Sequence, residues 1–211
     1  MPVPMLVKVC GITRAQDAQA LQGLGVSGQG VDLLGFIFAG KSPRLVTPKF
    51  VAGLPPGPAR RVGVFVEQTP DQVSQIMDAA RLDFAQLHGA QDPEFCRQVG
   101  PERVIKVFWP QRHASLAELE AEMAHYADAC AMMLLDAGVS GGGHGRSLDF
   151  PALRGITAPH PWLLAGGIGP DNAAQALEAA PAGLDLNSGV ETSPGVKDAD
   201  KVRQVLTAIT R

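Results

Sequence analysis

Two residues at the ends of apolar runs are placed for acid–base chemistry. Leu6-Val7-Lys8-Val9-Cys10-Gly11-Ile12-Thr13 reads as a short strand ending in a thiol, followed by glycine and a helix-capping threonine. Met132-Met133-Leu134-Leu135-Asp136 reads as another strand, ending in a carboxyl group and running into a glycine-rich loop. Parallel α/β proteins gather their chemistry where strands give way to loops. A thiol and a carboxyl at two such ends can take one proton and supply another, if the fold brings them together. Each also has a plainer reading. A free cysteine packs well in a core, and an aspartate after a strand can simply cap a turn.

Further groups surround this pair in the sequence. Lys8 shares parity with Cys10, so a regular strand points both to the same face. Asp185, on the last apolar run, can pair with Lys8 if the sheet closes, and a cationic Lys8 would lower the pKa of the Cys10 thiol. Arg44, in Lys41-Ser42-Pro43-Arg44, can grip a carboxylate with two parallel hydrogen bonds, although most arginines are solvated. His88 ends Gln86-Leu87-His88-Gly89 and suits binding, catalysis or a structural hydrogen bond equally. Cys96 and Cys130 fall in or beside helical stretches and read as structural. Three glycine-rich loops offer backbone N–H groups to an anion. Gly141-Gly142-Gly143-His144-Gly145 supplies Gly143 and Gly145, Ala165-Gly166-Gly167-Ile168 supplies Gly166 and Gly167, and Asn187-Ser188-Gly189-Val190 supplies Asn187, Ser188 and Gly189. One glycine pair is weak; three such loops on consecutive strands form a phosphate signal.

The elements that must position these residues alternate along the chain. Eight apolar strands end near Val9, Phe38, Val66, Leu87, Phe108, Leu135, Ala165 and Leu186. Helical stretches lie between and after them at 14–24, 47–54, 70–80, 93–99, 116–127, 150–154, 171–179 and 198–209, most preceded by proline or Asp/Ser/Thr. The strands are near-continuous apolar runs, as parallel strands buried on both faces require. Eight β/α units in order predict an α/β fold, a single (β/α)₈ TIM barrel with a closed eight-stranded parallel sheet, occupying residues 1–211 as one domain. The chain is short for this fold, so its helices must be brief, the sixth above all. An open doubly wound sheet would call for a Gly-x-Gly-x-x-Gly turn after an early strand, which the sequence lacks.

Composition narrows the function classes. Of 211 residues, 45% are hydrophobic and 18% charged, which suits a globular chain. The net charge of −3 carries no basic footprint, so no nucleic-acid partner is expected. No apolar run reaches the ~18 residues of a membrane helix, and the N-terminus lacks the flank and core of a signal peptide. Three widely spaced cysteines fit a reducing cytoplasm better than a disulfide framework. No Cys-x-x-Cys or clustered histidine suggests a metal.

Taken in order, these segments resemble the phosphoribosylanthranilate isomerase family of tryptophan biosynthesis. The resemblance spans nearly the whole chain. It rests on Lys8-Val9-Cys10-Gly11-Ile12-Thr13, Lys41-Ser42-Pro43-Arg44, Val62-Gly63-Val64-Phe65-Val66, Gln86-Leu87-His88-Gly89, Leu134-Leu135-Asp136 and 142–150. It continues through Leu164-Ala165-Gly166-Gly167-Ile168, Asp185-Leu186-Asn187-Ser188-Gly189-Val190-Glu191 and Pro194-Gly195-Val196-Lys197-Asp198. The resemblance implies an Amadori rearrangement of a phosphoribosyl substrate without metal or organic cofactor, by a monomer or homodimer. It makes Asp136 the general acid toward the ribose ring oxygen and Cys10 the general base at C2. It gives Arg44 the anthranilate carboxylate and the loops after strands six to eight the phosphate. In such a role the carboxyl pKa should rise and the thiol pKa should fall. His144 stands where the family usually has threonine, and Asn187 where serine is frequent. Two rivals make different demands. A histidine-pathway aldose–ketose isomerase is expected to carry aspartate at position 10, and a non-catalytic phosphosugar-binding barrel needs neither Cys10 nor Asp136.

Overall fold

Eight parallel strands close into a barrel in the computed structural model, which describes residues 5–138 and 150–210. The strands are β1 (Leu6–Val9), β2 (Leu33–Ile37), β3 (Arg60–Phe65), β4 (Phe84–Leu87), β5 (Val104–Phe108), β6 (Met132–Asp136), β7 (Trp162–Ala165) and β8 (Gly183–Leu186). Each pairs with its neighbour in sequence, and β1 closes the ring by pairing with both β2 and β8. That closure sets Lys8 directly opposite Asp185.

Side chains alternate between two buried layers, as a period of two dictates. Leu33, Val62, Phe84, Ile105, Val107, Leu134 and Leu163 fill the barrel interior. Val104, Phe108, Met133, Leu135, Leu164 and Leu186 face outward into a larger apolar layer beneath the helices. The helices are α1 (Ala15–Gln22), α2 (Pro48–Ala52), α3 (Pro70–Ala80), α4 (Pro93–Val99), α5 (Leu116–Ala124), α6 (Ala173–Ala176) and α7 (Ala199–Ile209). Thr13 does not cap α1 as expected, since the N-cap is Arg14 without a side-chain hydrogen bond, but five other starts follow the expected chemistry. Thr47, Thr69, Asp92, Ser115 and Asp198 each accept a backbone N–H at an N-cap, and proline opens α2, α3 and α4.

Two expected helices come out wholly or partly as 3₁₀ turns. Where 150–154 suggests a sixth helix, Phe150–Leu153 forms one 3₁₀ turn. The stretch 171–179 divides into α6 and a 3₁₀ turn, Leu177–Ala179. Ala180 then enters the left-handed region at φ 55°, where the turn ends just before Pro181. The structure also adds two small antiparallel hairpins, Gly25–Val26 with Gln29–Gly30 and Glu191–Ser193 with Val196–Lys197. The second is anchored to the first βα unit. Thr13 Oγ1 donates to Gly195 O at 2.6 Å, and Lys197 N donates to Asp17 Oδ2 at 3.1 Å. It thereby reaches back over the end of β1. Among the described residues no helix is long and apolar enough to cross a membrane.

Candidate active site

The C-terminal ends of the strands surround a cavity of about 250 Å³. Of the residues singled out by sequence, Cys10, His88, Asp136, Gly166, Gly167, Asn187 and Ser188 all line it. Gly189 stands just behind, in the wall between two loops. Arg44 lies outside the lining, on the rim, with its guanidinium turned toward the hairpin that follows β8. Gly143, His144 and Gly145 fall outside the described residues.

Cys10 follows β1, fixed by its N–H to Leu186 O at 2.8 Å. Its sulfur packs against Gly35 on β2, where a Cβ would stand 2.7 Å from the sulfur and 2.9 Å from the Cys10 Cα. Lys8 lies beneath it, fully buried, donating to both oxygens of Asp185 at 2.9 Å. Burial alone would discharge Lys8, but the charges and hydrogen bonds of Asp185 and Cys10 outweigh it and raise its pKa, so it stays protonated. The expected fall in the Cys10 pKa does not occur. Burial dominates and pushes the thiol up, against the lowering influence of Lys8 and Lys197.

Asp136 ends β6 on the far side. Its Oδ1 accepts the Gly138 N–H at 2.9 Å, and its Oδ2 lies 3.4 Å from His88 Nε2. His88 Nδ1 lies 3.3 Å from Gln86 Nε2, and its ring meets Trp109 edge to face at 5.4 Å between centroids. Gln86, His88 and Asp136 thus form one polar chain along the wall. Gln86 is only 2% exposed, lines the cavity, and its Oε1 has no partner among the described residues. A buried orphan acceptor costs about 1–3 kcal/mol unless something donates to it. Gln86 lies in the Gln86-Leu87-His88-Gly89 motif, where residue type alone assigns it no role. Strand parity, which sets it inward with Phe84, was the available signal.

Two more residues were missed. Glu191, in the hairpin after β8, accepts from Arg44 Nε at 2.9 Å and Arg44 Nη2 at 2.6 Å. Its Oε1 also accepts Lys197 Nζ at 2.7 Å and the Gly195 N–H at 2.9 Å. Burial would raise the Glu191 pKa, but these donors hold it down at about 2. Lys197 continues the network to Asn187, reaching Oδ1 at 2.9 Å and the backbone oxygen at 3.3 Å. The side-chain oxygen of Asn187 is therefore already engaged. The cluster leans on the end of β1. A Cβ at Gly11 would stand 2.6 Å from Arg44 Cδ and 2.8 Å from Asn187 Oδ1, and its φ of +77° suits glycine as well.

The loops after β7 and β8 approach backbone to backbone. A Cβ on Gly189 would lie 2.2 Å from Ile168 O, and one on Gly169 would lie 2.7 Å from Gly189 O. Gly166 and Gly167 adopt φ of 126° and 68°, backbone conformations that L side chains rarely reach. Among the described residues no group of three or more His, Cys, Asp or Glu side chains comes together as a metal site. The arrangement sets a thiol and a carboxyl across one small cavity, with the glycine-containing loops after β7 and β8 to one side.

Comparison with known proteins gives the same family from both sequence and structure. The family model for N-(5'-phosphoribosyl)anthranilate isomerase matches residues 7–208. A relative from Maridesulfovibrio salexigens, named N-(5'-phosphoribosyl)anthranilate isomerase, is 47% identical, covering 97% of this chain and 98% of its own. The crystal structure of phosphoribosyl anthranilate isomerase from Thermus thermophilus is 37% identical, with a TM-score of 0.78 and 98% of each chain covered. Another solved structure of such an isomerase, in complex with reduced 1-(o-carboxyphenylamino)-1-deoxyribulose 5-phosphate, is 28% identical, with a TM-score of 0.78 and 98% of each chain covered.

Proposed function

This chain belongs to the N-(5'-phosphoribosyl)anthranilate isomerase family, and from that premise we propose that Cys10 and Asp136 are the base and the acid of its reaction. It is an isomerase of tryptophan biosynthesis, converting N-(5'-phosphoribosyl)anthranilate to 1-(2-carboxyphenylamino)-1-deoxyribulose 5-phosphate. Asp136 gives its proton to the ribose ring oxygen as the C1–O bond breaks and the nitrogen lone pair forms a Schiff base. Cys10 then takes the proton from C2. The electron pair left there flows to nitrogen, giving an enolamine that tautomerises to the ketose. The observation that carries this reading is the placement of the thiol just after β1 and the carboxyl at the end of β6, on opposite walls of one cavity.

The surroundings support the division of labour. Lys8 and Lys197 favour the thiolate that must form once Cys10 gives up its own proton. The glycine loops after β7 and β8 present backbone N–H groups for the phosphate, and Arg44 meets the anthranilate carboxylate at the rim. The unpartnered Gln86 Oε1 accepts a hydroxyl of the opened sugar. Three buried free thiols support a place in the reducing cytoplasm.

Turnover of freshly generated substrate, followed by loss of anthranilate-type fluorescence, tests the assignment. Cys10→Ser and Asp136→Asn should each lower kcat by about 10²–10⁴-fold, the usual range for a positioned acid or base. Folded variants that keep wild-type turnover would remove both roles.

A further inference from the structure

We infer that Glu191 is a positioning residue for carboxylate recognition, holding one edge of the Arg44 guanidinium so that its other edge faces the substrate's aromatic acid. This rests on the reading of Arg44 as the carboxylate-binding group. An arginine side chain that emerges from a loop has many rotamers, and a rim position does little by itself to select one. Here the selection is visible. Glu191 accepts from Nε and Nη2 in the parallel two-bond arrangement that matches a planar guanidinium, leaving Nη1 and the second Nη2 hydrogen for another partner.

Glu191 is itself held in place. Its carboxylate, 4% exposed, takes further hydrogen bonds from Lys197 and Gly195, and Lys201 Nζ donates to its backbone oxygen at 2.8 Å. The hairpin carrying it is tied by Thr13 and Asp17 to the segment that follows Cys10. Arg44 and Lys197 together outnumber Glu191 by one positive charge, so the cluster still attracts an anion. The same contacts place Arg44 Cδ over Gly11, one residue from the thiol. A carboxylate taken by the free edge of Arg44 would bring the attached ring, and the nitrogen it carries, alongside Cys10.

The test is binding of two reduced product analogues by calorimetry. One is reduced 1-(o-carboxyphenylamino)-1-deoxyribulose 5-phosphate, and the other is its phenylamino counterpart without the carboxyl group. The readout is the ratio of their dissociation constants, which a general loss of fold would not change selectively. Wild type should prefer the carboxylate by at least tenfold, and Arg44→Ala should erase that preference. Glu191→Gln should cut the ratio at least fivefold, with substrate KM rising more than kcat falls. Glu191→Asp, which keeps the charge Lys197 needs but withdraws it by one methylene, should also cut the ratio and covers the case where the amide variant is unstable. If Arg44→Ala leaves the preference intact, the reading of Arg44 fails and this inference with it. If Arg44→Ala erases the preference while both Glu191 variants keep it, or lose affinity for the two analogues equally, Arg44 stands and the role of Glu191 is overturned.

Discussion

The Cys10 thiol sits between opposing influences. Burial raises its pKa, while Lys8 below and Lys197 above pull it down. The sequence shows the lysines but not how deep the thiol lies, because depth is made by the close approach of Gly35 and the barrel floor. That is why the position of Cys10 is legible from the strand pattern and the direction of its shift is not. Lys8→Met should push the thiol further up, read as the thiolate absorbance that Cys10→Ser removes. Activity should then fall more near neutral pH than in alkaline solution, since fewer enzyme molecules carry thiolate at the lower pH. A Lys8→Met protein whose thiol titrates as wild type would show that Lys8 serves packing with Asp185 and nothing more.

Elements with local signals are legible in advance, and those defined by distant partners are not. Pro70 after Thr69, with Gln72 closing a capping box, marks the start of α3 without any tertiary information. The hairpin Glu191–Ser193 with Val196–Lys197 has strands too short for periodicity. Its partner Arg44 lies 147 residues away, so nothing local announces the pair. The contact between the loops after β7 and β8 is partly legible. Glycines in both loops signal an anion site, but that Gly189 is needed for backbone contact with Ile168 appears only in the fold. Gly189→Ala must force those loops apart, since its Cβ would meet a carbonyl oxygen rather than a yielding side chain. Competitive inhibition by inorganic phosphate should weaken about tenfold, equivalent to roughly 1.4 kcal/mol, with a smaller change in kcat. Unchanged phosphate inhibition in a folded Gly189→Ala enzyme would move the phosphate site away from these two loops.

At the scale of the whole barrel, the three buried lysines among the described residues divide by layer. Lys8 and Lys197 point toward the mouth and each meets a carboxylate. Lys106 instead lies in the outer layer, 3% exposed, among the rings of Phe108, Trp109 and Tyr126 at 5.4–5.9 Å. Its Nζ donates to Gly89 O at 2.9 Å, and it forms no ion pair among the described residues. Burial, only partly offset by Cys96, Glu122 and Cys130, lowers its pKa. The unfolded chain holds the Lys106 proton to higher pH than the folded one, so this residue destabilises the fold below its folded pKa. That penalty fades as pH rises toward the unfolded value of about 10.4. Lys106→Met fills similar space without the charge. It should raise stability at neutral pH by about 1 kcal/mol, or about 2–4 °C in Tm for a chain of this size. The gain should shrink as the solution is made alkaline. Thermal unfolding of both proteins across that range decides the matter. A Lys106→Met protein that melts lower at neutral pH would mean that the Gly89 hydrogen bond and the aromatic contacts outweigh desolvation. A gain that stays constant with pH would assign it to packing instead of charge.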